Sequence, residues 1–148
     1  MAGYSGTPLL QKIGIKPGNR LILHNQPATF VKDLGDLPEG VERADKPVGK
    51  ANVIVCFTDR RADLERRFPI FSGKLVPDGM LWISWPKKSS GLATDLTENV
   101  VREVGLNCGL VDVKVCAIDD TWSGLKFVYR TKDRPAVKTK SQRTTKRK

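Results

Sequence analysis

Histidine occurs once in these 148 residues, at His24, and cysteine three times, at Cys56, Cys108 and Cys116. No C-x-x-C pair is present, and a single histidine cannot complete a Cys/His metal set. Each cysteine sits among apolar residues, which points to small buried hydrophobes in a reducing compartment rather than to redox chemistry. No hydrolytic nucleophile with a placed base stands out either. Long apolar runs are also missing. The longest, residues 53–57 and 80–83, fall far short of the roughly 20 residues that a membrane span needs. Gly3, Gly6 and Pro8 stand where a signal peptide would carry its apolar segment, and Ala2 rules out the Met-Gly start of a myristoylation site. The expectation is a cytoplasmic protein.

What is abundant is positive charge, and it is uneven. The formal net charge is +10. Residues 131–148 hold eight Lys/Arg against one aspartate, a net +7, whereas residues 1–130 hold 18 against 15, a net +3. The end segment has only Ala136 and Val137 as apolar residues, too few to offset the entropy of ordering it. It reads as a disordered basic tail, either a solubilising end or an arm for phosphates. Residues 1–130 read as one α/β domain of ordinary size.

Along that domain, Leu9, Leu10 and Ile13 predict a short helix, with Thr7 as N-cap, Pro8 at its first position and Gly14 at its stop. Residues 20–24 predict a strand, 26–34 a short helix and 41–44 a brief strand. Residues 52–57 predict a buried strand. Leu64, Phe68, Phe71 and Leu75 then recur at spacings of four, three and four, one face of a helix that Pro69 should kink or split. Pro77-Asp78-Gly79 reads as a turn, 80–85 as another buried strand and 87–91 as a polar loop. Asp95-x-x-Glu98 resembles a capping box opening a helix with Val100, Val101 and Val104 inward. Residues 111–118 and 125–129 read as a hairpin joined through 119–124. Apolar strands separated by helices imply a Rossmann-like, mainly parallel sheet covered on both faces, with a C-terminal antiparallel hairpin.

Leu75-Val76-Pro77-Asp78-Gly79-Met80-Leu81-Trp82-Ile83, the helix from Asp95 and the closing hairpin resemble the fifth strand, last helix and last two strands of the class I methyltransferase fold. The likeness spans residues 52–130 and implies a methyltransferase-like architecture. That family turns out of its first strand through glycines, which let S-adenosylmethionine approach the backbone. Here the turn is His24-Asn25-Gln26-Pro27-Ala28, with no glycine and with an N–H removed by Pro27. The expectation is therefore weak or absent binding of that cofactor, with Asp45 as the one candidate for a ribose-binding acid. The start Met1-Ala2-Gly3-Tyr4-Ser5-Gly6-Thr7-Pro8, the segment Trp85-Pro86-Lys87-Lys88 and the segment from Asp119 to Lys126 also resemble a bacterial family of small proteins classed as a domain of unknown function. That resemblance implies a bacterial origin and no particular activity.

Ligands of open parallel sheets bind beyond the carboxyl ends of the strands. By that rule one rim gathers His24 and Asn25, then Thr58, Asp59, Arg60 and Arg61, then Trp85, Lys87 and Lys88. If the strand at 111–118 is parallel, Asp119, Asp120 and Trp122 join them. The candidate ligand-binding set is Arg60, Arg61, Trp85, Lys87, Lys88, Asp119, Asp120 and Trp122, with the two indoles as walls. Each has a plainer reading. Asp59 is an N-cap, the lysines a solvated loop, Asp119 and Asp120 turn formers, and His24 a structural residue. Arg60 and Arg61 oppose the dipole of the helix they open, which favours an anion there. The leading expectation is a non-enzymatic domain binding an anionic small molecule or nucleic-acid phosphate at the rim, with no cofactor or oligomeric state specified. The alternatives are a small enzyme acting on a phosphorylated or carboxylated substrate, and a nucleic-acid-associated protein binding through its tail.

Overall fold

Apolar side chains fill both faces of residues 51–57, so this segment forms a strand only where helices cover it from both sides. The computed structural model describes residues 8–130 and places this strand inside a six-stranded sheet. The elements in chain order are α1 (Leu9–Ile13), β1 (Arg20–His24), α2 (Ala28–Leu34), β2 (Glu42–Ala44), β3 (Ala51–Phe57), α3 (Arg61–Ser72) and β4 (Leu75–Pro86). A 3₁₀ turn at Lys88–Ser90, α4 (Glu98–Asn107), β5 (Leu110–Ala117) and β6 (Trp122–Tyr129) complete them. The order across the sheet is β2-β1-β3-β4-β6-β5. Neighbours from β2 to β4 are parallel, and β6 lies antiparallel between β4 and β5. β5 therefore runs parallel to β4, as the sequence reading required. The Rossmann-like sheet with its closing antiparallel strand is the expected fold.

The two faces carry separate cores. On face one, Leu64, Phe68 and Phe71 of α3 and Val101 and Val104 of α4 pack on Ile54, Cys56, Leu81 and Ile83. On face two, Leu9 and Ile13 of α1 and Phe30 and Leu34 of α2 pack on Leu21, Leu23, Val53, Val55 and Trp82. Trp82 is fully buried and its indole N–H donates to the Ile13 carbonyl at 2.9 Å, so α1 is held by a satisfied polar contact as well as by burial.

Several expectations are corrected here. Pro77-Asp78-Gly79 is no turn between elements. β4 runs continuously from Leu75, and its residues 76–79 are extra relative to β3, where the register shifts between the pairs Ala51–Leu75 and Val53–Met80. Gly79 is required there, because a Cβ would lie 2.9 Å from the Asn52 carbonyl oxygen. Leu75 belongs to β4 rather than to the helix, and α3 passes through Pro69 unbroken to Ser72. The cap of α4 is Thr97, whose hydroxyl accepts from the Val100 N–H at 3.2 Å, and not Asp95. The hairpin connection is shorter than 119–124, because β6 already begins at Trp122. Pro8 stands at the N-cap of α1, not at its first helical position, so Thr7 is not that cap; the basic tail lies outside the described residues.

Candidate functional site

The chain winds from β1 over face two to β2, then returns past β1 to β3 and winds the other way over face one. The direction reverses between β1 and β3, and crevices at such a reversal are where open α/β sheets bind ligands. The backbone there is unusual. Asn25 has φ 58°, and among the described residues no other non-glycine residue has positive φ. Asparagine tolerates the left-handed region better than most residues. Its side-chain amide donates to the Phe57 carbonyl at 3.2 Å, tying the end of β1 to the end of β3 across the reversal. Local strain of this kind collects at functional sites. Pro27 then begins α2 with no side-chain cap on its first N–H groups.

His24 ends β1 on face one, its ring 5.2 Å from Phe71. Burial and the nearby Arg67 guanidinium lower its pKa below the ordinary 6.5, against the opposing pull of Asp63, so the imidazole is neutral at neutral pH. Asp63 anchors the start of α3. It accepts from Thr58 Oγ1 at 2.8 Å, Arg66 at 2.8 Å and Arg67 at 2.9 Å. Partial burial alone would raise its pKa, but the hydrogen bonds prevail and hold it below the ordinary carboxylate value. Two open hollows flank this point. One, of about 310 Å³, is bordered by Asp59, Arg60, Asp63 and Arg66. The other, of about 530 Å³, is bordered by Asp59, Arg60, Thr94 and Asp95. Thr94 Oγ1 donates to the Asp59 carbonyl at 2.7 Å, which fastens the segment before α4 to the end of β3.

Beyond the end of β4 lies a groove of about 540 Å³ with Trp85, Lys87, Lys88, Thr94, Thr97 and Ser123 on its walls. Thr94 borders both this groove and the Asp59 hollow. The Lys87 N–H donates to the Thr121 carbonyl at 2.7 Å, so the loop after β4 is pinned to the loop before β6.

The structure thus brings Trp85, Lys87 and Lys88 into one groove and sets Arg60 in the adjoining hollow. It does not bring the others with them. Trp122 packs on face two, edge-to-face with Phe57 at 5.1 Å, whereas Trp85 belongs to the face-one core and is 5% exposed. The two indoles cannot wall one cleft. Asp119 is occupied in its own turn, its Oδ1 accepting the Thr121 and Trp122 N–H groups at 2.8 Å each. Asp120 is exposed at that turn and borders none of these hollows. Arg61 pairs with Glu65 at 3.0 Å and with Glu103 at 3.5 Å, and its N–H donates to Asp95 Oδ1 at 2.7 Å. The anion expected at the start of α3 is thus the chain's own Asp95 carboxylate. Asp59 is not the cap of α3, since Arg60 holds that position. Asp63 and Thr94 were missed, and Thr58 was placed on the rim without its role as donor to Asp63. The i,i+3 and i,i+4 spacings of Asp63 to Arg66 and Arg67 were the available signal.

All three cysteines are free thiols. Cys56 is buried on face one, and burial pushes its thiol up to about 12. Among the described residues, no three His/Cys/Asp/Glu side chains are placed to hold a metal, and no helix is long and apolar enough to cross a membrane.

No family model and no curated protein matches the chain. Solved structures do. The magnesium protoporphyrin IX methyltransferase of Synechocystis PCC 6803, solved with SAH bound, aligns over 82% of this chain and 78% of its own, at 13% identity and TM-score 0.57. A SAM-dependent methyltransferase from Aquifex aeolicus aligns over 80% and 86%, at 15% identity and TM-score 0.57. Another from Clostridium acetobutylicum aligns over 81% and 87%, at 8% identity and TM-score 0.51. At these identities the likeness establishes a methyltransferase-like fold. It also corrects the leading expectation of a non-enzymatic anion-binding domain. The neighbours are methyltransferases, and the alternative of a small enzyme is the nearer reading.

Proposed function

We propose that this domain is a small S-adenosylmethionine-dependent methyltransferase, with a carboxylated or phosphorylated acceptor held beside the cosubstrate. The observation that carries the reading is Asn25. The missing glycine argued against a close approach of the cosubstrate to the first turn, yet Asn25 adopts the left-handed conformation for which such a glycine is needed. The donor and acceptor set around that turn fits the group. Asp45 follows β2 and is exposed, with Arg43 donating to both carboxylate oxygens at 3.0 and 3.4 Å and holding them in place. Its remaining lone pairs suit ribose hydroxyls. Asp59 is exposed at the end of β3.

When bound, the sulfonium supplies an electrophilic methyl group. The chain's own part is to bring an acceptor to it. Lys87 and Lys88 set positive charge along the groove beyond β4, which selects an anionic acceptor. A bacterial origin, carried by the sequence resemblance alone, and a cytoplasmic setting, carried by composition, belong to the same reading.

Titration calorimetry of the full chain with S-adenosylmethionine and S-adenosylhomocysteine tests it. Micromolar affinity, about −8 kcal/mol, is expected. Asp45→Asn should weaken it about tenfold, as for the loss of one charge-assisted hydrogen bond. Its melting temperature should be unchanged, because the residue is exposed. Absence of binding heat at millimolar ligand would overturn the reading.

A further inference from the structure

Face two is covered unequally. Among the described residues its helices are the short α1 and α2, which pack over β1, β3 and β4. On the far side of the sheet, Leu125 and Phe127 of β6 turn into face one, so Lys126 between them turns to face two. Its Nζ lies 6.0 Å from the centroid of the buried Trp82 ring. Directly opposite Lys126 in the β5–β6 register stands Lys114. Like charges facing one another across a ladder are destabilising. Lys12 reaches the same area, with its Nζ donating to the Ala117 carbonyl at 3.3 Å. Lys12, Lys114 and Lys126 all act on the Cys116 thiol, and each opposes the rise that burial causes.

Among the described residues, no carboxylate is paired with Lys114 or Lys126. Asp112, two residues from Lys114, turns to face one and binds Arg102 at 2.8 Å. The contrast with the arginines is plain: Arg43, Arg61, Arg66, Arg67 and Arg102 are each paired with a carboxylate. Lysine on an edge strand guards against strand addition, and that accounts for Lys114 on β5. It does not account for Lys126, because β6 is an inner strand. Lys126 rests over the Trp82 ring, but among the described residues it has no counter-charge, and a like-charge pair left so on an inner strand marks a surface kept for something else.

We propose that this open side of the β5–β6 ladder docks on the phosphate backbone of a nucleic acid. The chain itself narrows the occupant to a polyanion. It leaves β6 at Tyr129, three residues past Lys126, and residues 131–148 add eight Lys/Arg against one aspartate. A phosphate backbone presents charges in a close, regular row, which matches the facing Lys114 and Lys126 of the ladder. Those eighteen residues have only Ala136 and Val137 to offer an apolar partner, too little for a membrane or a protein groove. The surface is separate from the strand-end site and does not depend on the reading of that site. It predicts binding indifferent to sequence, because phosphate contacts carry no base information.

Fluorescence anisotropy with a labelled duplex DNA, using the full chain, tests this. Lys114→Gln/Lys126→Gln should weaken binding about tenfold at low salt and reduce the slope of log affinity against log salt by about 1.8, the value for two lost phosphate contacts. The control Lys16→Gln/Lys46→Gln removes the same charge from exposed positions away from the ladder and should change both much less. A duplex RNA of the same sequence should give the same loss, since the contact is to phosphate. The ladder variant should melt no lower than the parent, so weak binding cannot be ascribed to unfolding. Equal losses in the two double variants would overturn the proposal. So would a ladder variant that loses affinity for polyglutamate or anionic lipid vesicles but keeps it for duplex.

Discussion

At the scale of single residues, the internal polar groups are matched with one exception. Ser84 is fully buried on β4, and its Oγ has no partner among the described residues. A buried hydroxyl without a hydrogen bond costs about 1–3 kcal/mol relative to a satisfied one. Ser84→Ala removes that burden at almost no cost in volume, so the variant should be as stable as the parent or more stable by about 1 kcal/mol in urea denaturation. A loss of stability would mean that the hydroxyl has a partner after all. Elsewhere the polar residues are used, and the uses explain which were legible. That Trp85, Lys87 and Lys88 lie together was legible because they close and follow an obvious apolar strand. Asp95 was misread as a cap because its real partner, the Arg61 N–H, is 34 residues away. Asn25 was placed on the rim and its turn read as lacking glycine, without the left-handed conformation. A side chain in the left-handed conformation leaves no mark in composition or spacing.

At the scale of elements, α4 shows how closely the layers approach. Gly105 faces the sheet, and a Cβ built there would fall 2.1 Å from the Phe127 ring. Alanine in a helix interior is favoured over glycine by about 1 kcal/mol. Overpacking a filled core costs typically 1–3 kcal/mol and occasionally more, and a 2.1 Å approach lies at the severe end. The clash prevails, so Gly105→Ala should lower stability by about 2 kcal/mol or more in chemical denaturation. An increase would mean that α4 can lift from the sheet. The strands were the most legible elements, because 52–57 and 80–85 are apolar on both faces and too short for core helices. The rim constellation was not. It required the register of β6 against β4, which pairs Pro86 with Trp122 and Trp85 with Ser123 and so sends the two indoles to opposite faces. Alternation along one strand says nothing of its parity against a partner far away in sequence.

At the scale of the whole molecule, the two resolved shifts of His24 and Asp63 bear on stability with the same sign. The folded state lowers the pKa of His24 below 6.5, so it binds fewer protons than the unfolded chain there. That contribution is complete above pH 6.5 and is lost as pH falls below it. Asp63 is lowered from 3.8, so its contribution is complete above that value and is lost as pH falls through the folded pKa. Stability should therefore decline in two stages on acidification, and urea midpoints against pH should show both. His24→Gln should remove the first stage and Asp63→Asn the second. A profile that rises on acidification from neutral pH would contradict both assignments.

The placement of β6 has a kinetic meaning as well. The last strand in sequence is an inner strand of the sheet, and the pairing of Pro86 with Trp122 spans 36 residues of chain. Until β6 arrives, β4 is an open edge displaying Trp82, Ile83 and Trp85, and β5 has no neighbour to join. Long-range pairings of this kind form late and slowly. A chain caught before that step presents an apolar strand edge to its copies, the usual start of aggregation. Recovery of soluble protein during refolding should therefore be governed by how fast the C-terminal hairpin inserts.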